Sequence, residues 1–202
     1  TSIESGKALQ SIVVHKDVVT CVAVASASSG ALCGGIGLGG TGGAQDAASS
    51  RCRLVTGSRD CTIAVWEVKP NDPQAVSPRP LHLLFGHDDT VTCVALSLEQ
   101  DLVISGSEDG TVILHELESG NYIRSIQTGY PVRHAASTTA GYILAYCQTP
   151  VNNVLITYSL SGKQLAFRET LENLNCFAFS EDGEVVLVGG QKGLITAYWL
   201  HS

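Results

Sequence analysis

The stretch that decides the fold is GHDDTVTCVAL at residues 86–96, because a close copy of it, HKDVVTCVAV, occupies residues 15–24. In both copies a histidine precedes a Thr-Cys pair and a run of apolar residues. A second matching pair follows downstream, LVTGSRDCT at 54–62 and VISGSEDGT at 103–111. Each member of that pair leads into an apolar strand. The chain is therefore built from a repeated unit.

Two further units extend the series. NCFAFS at 175–180 and VGGQKG at 188–193 repeat the pattern, and a weaker unit covers residues 132–160. A period of about 40 residues is what a four-stranded propeller blade requires. The strands are apolar at nearly every residue, as expected when both faces are covered, and no stretch shows a capped helical period. We therefore predict an all-β fold, a β-propeller segment of about four blades.

Polar residues at fixed places in the unit predict a structural hydrogen-bond network. The first repeat offers His15, Asp60 and Trp66, with either Thr56 or Ser58 as the hydroxyl. Such a set is typical of WD repeats, where it satisfies buried polar groups and fixes a turn. The second repeat keeps the histidine, a serine and the aspartate but has a histidine at the tryptophan position (His87, Ser105 or Ser107, Asp109, His115). The last repeat has Lys192 and Tyr198 at the Asp and Trp positions.

Three other patterns suggest chemistry, and each has a structural explanation. The Ser, His and Asp residues suggest a catalytic group, but they recur at the blade period without a nucleophile elbow, so we predict no enzyme. GIGLGG at 35–40 fits a dinucleotide motif, yet TGGA follows where a helix would have to open. The His15/Cys21 and His87/Cys93 pairs suggest a metal, but small packed thiols explain them. We predict no cofactor and no metal.

Two insertions interrupt the first repeat. Residues 25–51, between its first and second strands, include 19 Gly, Ala or Ser residues among 27, which predicts a flexible loop. Residues 69–80, between its third and fourth strands, carry four of the six prolines. Both insertions are expected on the rim opposite the His and Asp turns. Neutral variation in tolerated loops and a docking or modification site are both compatible with them.

Charge is concentrated on the second repeat. Residues 81–120 contain eight Asp or Glu residues and no Lys or Arg, within a chain of net charge −7. Such a field repels nucleic acid and attracts basic protein segments, although a solubilising role also accounts for it. The predicted contact residues lie in the His and Asp turns of the first two repeats (Lys16, Asp17, Arg59, Asp88, Asp89, Glu108). The predicted partners are other proteins, and any membrane contact is indirect.

Composition favours a reducing compartment. The seven cysteines include no Cys-x-x-Cys pair, which argues against a disulfide framework. The first ten residues lack the pattern of a secretion signal, and no apolar run approaches the length of a membrane span. We therefore expect a cytoplasmic location.

The wording of these repeats resembles the C-terminal WD propeller of BEACH-domain proteins, with the neurobeachin and SPIRRIG branch most similar. The resemblance rests on HKDVVTC, GSRDCT, WEV, GHDD and LVISGSEDGT, and covers nearly all of the chain outside the insertions. It implies a large scaffold at the periphery of endomembranes, acting in vesicle trafficking and membrane dynamics, with PH-like and BEACH domains ahead of the propeller. A WD adaptor of another assembly, such as a ubiquitin-ligase receptor or a ciliary or coat complex, is the alternative.

The repeats predict these boundaries: an outer strand of a preceding blade at 1–14, then repeats at 15–86, 87–129, 130–170 (degenerate) and 171–202. SGKALQSI at 5–12 matches SGNYIRSI at 119–126, the outer strand of the second repeat. Because WD rings usually have about seven blades, we expect about three more to precede Thr1 in a parent protein. Alone, the segment would expose two apolar blade faces.

Overall fold

The computed structural model describes residues 10–26, 52–69, 76–138, 140–149, 153–170, 173–179 and 185–199. These residues form four antiparallel sheets and no helix. Strands follow one another in sequence order within each sheet, so every sheet is one blade of a propeller. The predicted all-β, four-blade propeller arrangement is confirmed.

Each predicted repeat contributes one sheet. Blade 1 contains β1 (Val19–Ser26), β2 (Cys52–Ser58), β3 (Ile63–Val68) and β4 (His82–Leu84). Blade 2 contains β5 (Val91–Ser97), β6 (Leu102–Ser107), β7 (Thr111–Glu116) and β8 (Tyr122–Gln127). Blade 3 contains β9 (Val132–Ser137), β10 (Tyr142–Gln148), β11 (Asn153–Ser159) and β12 (Gln164–Thr170). Blade 4 contains β13 (Leu174–Phe179), β14 (Val185–Gly190) and β15 (Ile195–Trp199).

The inner strand of every blade carries a bulge at the same place. Its register skips one residue between the first and third positions of the strand, leaving that residue without a partner across the ladder. The skipped residues are Thr20, Thr92, Arg133 and Asn175. A bulge of this kind bends the strand and redirects a side chain. It recurs where the blades have to contact one another.

The apolar core lies between the blades. One buried cluster joins blades 1 and 2, a second joins blades 2 and 3, and a third joins blades 3 and 4. Alternate residues of one strand pack in opposite directions, so that Val94 packs toward blade 1 and Cys93 toward blade 3. This explains why the central strands are apolar at nearly every position.

Close approach between blades fixes a glycine in β2 and β6. A Cβ atom on Gly57 would lie 2.7 Å from both the Cys21 sulfur and Val91 Cγ1. A Cβ on Gly106 would lie 2.6 Å from Val132 Cγ1 and 2.7 Å from the Cys93 sulfur. The thiols that recur in the sequence therefore pack beside a glycine slot that admits the first valine of the next blade. Burial raises the pKa of the Cys93 thiol to about 12.

The outer strand predicted at 1–14 is covered only in part by the described residues. Residues 10–14 lie in no strand, and residues 1–9 lie outside the described residues, so the strand stays a prediction. The Gln10 side chain instead exchanges two hydrogen bonds with the Val76 backbone, of 2.8 and 3.2 Å. This pairing holds Gln10 against the loop between β3 and β4.

The insertion boundaries also shift slightly. Ala25 and Ser26 belong to β1, because they pair with Arg53 and Cys52, so the first insertion begins after them. Residues 27–51 and 70–75 lie outside the described residues. Since β1–β2 and β3–β4 are antiparallel neighbours, both connections leave blade 1 at the same end.

Candidate functional site

The turns that carry the predicted site residues lie at one end of blades 1 and 2. We call this surface the His/Asp rim; it comprises residues 15–18, 59–62, 87–90 and 108–111. It holds two distinct features, a buried hydrogen-bond network in each blade and a set of exposed charges around it.

In blade 1 the network joins the histidine, the aspartate and the tryptophan of the predicted set. His15 Nε2 shares a hydrogen bond of 2.8 Å with the Thr56 hydroxyl, which also accepts the Trp66 indole N–H at 3.2 Å. His15 Nδ1 lies 3.0 Å from the Thr62 hydroxyl and 3.5 Å from Asp60 Oδ2. Of the two hydroxyls that the sequence left open, Thr56 therefore links the histidine to the tryptophan.

Ser58 and Asp60 fix the turn that follows β2. The Ser58 hydroxyl accepts the Asp60 N–H at 3.1 Å and donates to the Asp17 carbonyl at 3.4 Å. The Asp60 carboxylate accepts the Lys16 N–H at 2.7 Å, and from Thr62 both the N–H at 3.0 Å and the hydroxyl at 2.5 Å. Burial opposes ionisation of Asp60, but these hydrogen bonds outweigh it and lower its pKa to about 2.

Blade 2 repeats the arrangement. His87 Nε2 lies 2.9 Å from the Ser105 hydroxyl, and His87 Nδ1 lies 3.0 Å from Asp109 Oδ2. The carboxylate of Asp109 also accepts the Asp88 N–H at 3.0 Å, the Thr111 N–H at 2.8 Å and the Thr111 hydroxyl at 2.6 Å. Ser107 takes the place of Ser58, since its hydroxyl accepts the Asp109 N–H at 3.1 Å and donates to the Asp89 carbonyl at 3.0 Å.

Burial also acts on the titration of this network. The largest effect on His87 is burial, which lowers its pKa below 6.5 despite the nearby Asp109 and Asp88 carboxylates. Asp109 has a lowered pKa, because hydrogen bonds from Thr111, Asp88 and His87 outweigh its own burial. Around neutral pH the network therefore holds a neutral imidazole beside an ionised carboxylate.

His115 takes the tryptophan position of blade 2 without restoring the full chain. Its Nε2 lies 3.2 Å from the Phe85 carbonyl, and its Nδ1 is buried without a hydrogen-bond partner among the described residues. Burial is the largest cause that lowers the pKa of His115. Both blades therefore have the hydrogen bonds that join the histidine, the hydroxyl and the aspartate. They differ at the tryptophan position, where Trp66 bonds to the hydroxyl in blade 1 and His115 bonds to a backbone carbonyl in blade 2.

The Ser105-His87-Asp109 geometry resembles a catalytic triad in its distances. However, the Ser105 side chain and the His87 ring are fully buried. A nucleophile must reach its substrate, and this hydroxyl is covered by protein on every side. The arrangement instead satisfies polar groups that folding removes from water.

Two network members were missed by the sequence reasoning. Thr62 and Thr111 each contact both the histidine and the aspartate of their blade. Their signal was present, because a threonine stands two residues after the aspartate in both repeats.

Most of the predicted contact residues are exposed on the His/Asp rim. Lys16, Asp17, Arg59, Asp88 and Asp89 are all exposed. The carboxylates of Asp17 and Asp89 have matching orientations, since each accepts the N–H of the next residue, at 2.7 and 2.6 Å. These carboxylates are held in place at the surface of neighbouring blades.

Glu108 differs from the other predicted rim residues. Its carboxylate lies 2.7 Å from Arg133 Nη1, which extends from the bulge of β9 in the next blade. The sequence suggested an open acidic contact point, but a residue 25 positions downstream supplies the opposite charge. Glu108 therefore ties blade 2 to blade 3.

Carboxylates from the His/Asp rim of both blade 1 and blade 2 act on the thiol of Cys61. After burial, the carboxylates that raise the pKa of this thiol are Asp89, Asp60, Asp109 and Asp88. Asp60 and Asp109 belong to the buried networks of blades 1 and 2, and the other two are the exposed pair. The junction between the two blades is thus a region of negative potential.

The described residues also bear on metal and membrane sites. Within the described residues, no group of three or more His, Cys, Asp or Glu side chains is arranged to hold a metal ion. Among the same residues, no helix is long and apolar enough to cross a membrane.

Solved structures support the fold. A computationally designed protein named Ika4 superposes with a TM-score of 0.65 at 18% identity, over 96% of this chain and 98% of that one. A chain of the mitotic checkpoint complex gives a TM-score of 0.61 at 18% identity, over 74% and 48%. At this identity the likeness concerns the fold alone.

Sequence comparisons identify relatives. BEACH domain-containing protein B of Arabidopsis thaliana is 34% identical over 212 residues, which are 96% of this chain and 7% of the relative. A putative neurobeachin homolog of Caenorhabditis elegans is 28% identical over 204 residues, again 96% and 7%. This chain thus spans about 7% of the length of these relatives. The model of the neurobeachin beta propeller domain matches residues 43–202, so the chain belongs to that family of propeller domains, found in BEACH proteins.

Proposed function

We propose that this propeller is a non-catalytic platform for protein–protein interaction, within a BEACH-type scaffold that acts in vesicle trafficking and membrane dynamics. Family membership supports the setting, and the His/Asp rim supports the mode of action. The proposal places the protein in the cytoplasm at the periphery of endomembranes, with membrane contact made through the rest of the scaffold.

The observation that carries the proposal is the exposed pair Asp88 and Asp89 at the junction of blades 1 and 2. Their backbone is fixed by the buried network, because the Asp88 N–H and the Asp89 carbonyl bond to Asp109 and Ser107. The carboxylates are thus presented by a rigid turn, which reduces the entropy lost on binding. Asp17 adds a third carboxylate on the adjacent blade.

The partner that fits this surface is a basic protein segment. Complementary charge speeds encounter and selects among partners more than it adds raw affinity. A phosphate backbone would be repelled by the same field, which argues against nucleic acid as the ligand. PH-like and BEACH domains in the same parent chain are the proposed neighbours.

Fluorescence anisotropy with a labelled octalysine peptide tests this rim at low salt. The variant Asp88→Asn/Asp89→Asn removes two charges but keeps an acceptor oxygen for the Thr90 N–H. At about 0.5 kcal/mol per exposed pair, we expect roughly a fivefold weaker Kd. Glu99→Gln/Glu169→Gln removes two exposed charges away from this rim and serves as the matched control.

An equal loss in both double variants would show that only net charge matters and would refute the rim. Binding unchanged by Asp88→Asn/Asp89→Asn would do the same. A labelled octaglutamate peptide should bind neither the unchanged protein nor the Asp88→Asn/Asp89→Asn variant.

A further inference from the structure

Two turns of the same kind lie at the end of the blades opposite the His/Asp rim. One joins β7 to β8 in blade 2 (residues 117–121), and the other joins β11 to β12 in blade 3 (residues 160–163). Each contains a serine followed by a glycine of positive φ, Ser119-Gly120 in the first turn and Ser161-Gly162 in the second. In both, the glycine N–H donates at 2.9 Å to the carbonyl of the last residue of the preceding strand. The two serines therefore occupy matching places.

The preceding blade contacts both turns in the same way, through one side chain of its outer strand. His82 Nε2 of β4 lies 2.8 Å from the Glu118 carbonyl, and Arg124 Nη1 of β8 donates to the Ser161 carbonyl. A Cβ on the turn glycine would lie 2.8 Å from His82 Cγ in blade 2 and 3.6 Å from Arg124 Nη1 in blade 3. The same contact thus places an imidazole at one turn and a permanently charged guanidinium at the other.

The side chains around the two serines also differ in charge. The Ser119 hydroxyl donates to the Glu116 carboxylate, and Glu118 precedes Ser119 in the chain. At the place of Glu116, blade 3 has Ser159, whose hydroxyl lies 2.7 Å from the hydroxyl of Ser161. The first turn therefore holds two carboxylates, and the second has hydroxyl groups beside a cation.

Arg124 is a half-buried cation whose guanidinium lacks an anionic partner. It forms no ion pair with any residue that the structure describes. Its Nε is buried and has no hydrogen-bond partner within that part of the chain. Ser161 is exposed, and so is Lys163 two positions later. Because charges removed from water are normally paired, this turn is suited to an anion.

We propose that Ser161 is a phosphorylation site, and that its phosphate binds the Arg124 guanidinium and the Lys163 ammonium. A protein kinase transfers the γ-phosphoryl group of ATP: the bond from Ser161 Oγ to phosphorus forms, the bond from phosphorus to the oxygen of ADP breaks, and the hydroxyl proton is released. The added group carries a charge of about −1.5 to −2 at neutral pH. It joins the outer strand of blade 2 to the outer turn of blade 3 and makes this turn negative. The site goes beyond the proposed role of the His/Asp rim and does not depend on it.

Incorporation of phosphoserine during translation tests the phosphate site without a kinase. Phosphoserine in place of Ser161 should raise the Tm in calorimetry by about 2–4 °C, because charge-assisted hydrogen bonds to Arg124 form. A ³¹P NMR titration should place the second pKa of this phosphate below its ordinary value of about 6, because nearby cations favour the dianion. Arg124→Gln keeps a donor for the Ser161 carbonyl but removes the charge. In that variant the phosphate should titrate at about 6 and raise the Tm by less than about 1 °C.

Phosphoserine in place of Ser119 is the matched control. There the carboxylates of Glu116 and Glu118 should lower the Tm and raise the phosphate pKa above about 6. Equal shifts at the two serines, or the same phosphate pKa with and without Arg124, would overturn the proposal.

Phosphopeptide mass spectrometry tests whether the modification occurs. The unchanged protein, incubated with ATP and a eukaryotic cell extract that supplies kinases, should carry phosphate on Ser161. A peptide map that covers Ser161 and shows no phosphate on it would overturn the assignment of this residue as a modification site.

Discussion

Replacing Asp109 with alanine should destabilise the propeller more than any other single change on the His/Asp rim of blade 2. The carboxylate accepts hydrogen bonds from the Asp88 N–H, the Thr111 N–H and the Thr111 hydroxyl, and it lies 3.0 Å from His87 Nδ1. Alanine removes every acceptor at once. His87 remains fully buried and loses the carboxylate beside it.

The size of the effect follows from which donors can reach water. The Asp88 N–H is on an exposed residue and can bond to solvent, so its loss is small. The Thr111 N–H and the Thr111 hydroxyl each lose a hydrogen bond to an ionised carboxylate, which contributes about 1.5–2 kcal/mol apiece, while the hydroxyl and His87 Nδ1 keep each other as partners at 3.0 Å. We expect a total loss of about 3–4 kcal/mol. For a protein of this size that corresponds to a Tm lowered by roughly 10 °C.

Differential scanning calorimetry of Asp109→Ala beside Asp88→Ala measures this difference. Asp88 is the matched control, since it is the same residue type on the same rim but has an exposed side chain. Asp88→Ala should change the Tm by no more than about 2 °C. If the two variants had the same Tm, the buried network would not be what stabilises the blade, and the prediction would be refuted.

Three further predictions concern the blade junctions and pH. Thr92→Val should lower the free energy of unfolding by about 1–2 kcal/mol in urea titration, because the hydroxyl bonded to Val132 and Gly106 is lost; Thr92→Ser should not. Gly106→Ala should lower the free energy of unfolding by about 2–3 kcal/mol, because its Cβ would overlap Val132. A Cβ on Gly129 would meet nothing within 4 Å, so Gly129→Ala should be destabilised only by the smaller cost of its positive φ. Equal losses of stability in the two variants would contradict close packing at Gly106. Stability should fall as pH drops from 7.5 to 5.5, because burial lowers the pKa of His87 in the folded state and the unfolded chain then binds protons first. Stability should fall again below pH 4, because the pKa of Asp60 is lowered to about 2 in the folded state and the unfolded chain is protonated first there too. A urea midpoint that stays constant over both pH ranges would refute this prediction.

The fold could be predicted because the repeat is long and regular. Once GHDDTVTCVAL is matched to HKDVVTCVAV, the spacing sets the blades, and the recurring glycine and cysteine follow from the junction that every blade has to form. The network was also visible, but not which hydroxyl serves. That depends on register: Thr56 lies opposite Ala64, two residues before Trp66, whereas Ser58, the last residue of β2, lies beyond the segment that pairs with β3.

Contacts between repeats could not be derived from one repeat. Nothing at Glu108 indicates that Arg133 will reach it, because the ion pair depends on a bulge that redirects a side chain from the next blade. The outer strand expected at 1–14 stays a prediction, because residues 1–9 lie outside the described residues and only residues 10–14, which are in no strand, are described.

Hydrogen exchange with and without the octalysine peptide is the most direct test that the His/Asp rim is the interaction surface. We expect protection to increase in the rim turns of blades 1 and 2, at residues 15–18, 59–62 and 87–90, and not in the β5–β6 turn around Glu99. Protection that appears only away from those turns, or equally over the whole surface, would contradict it.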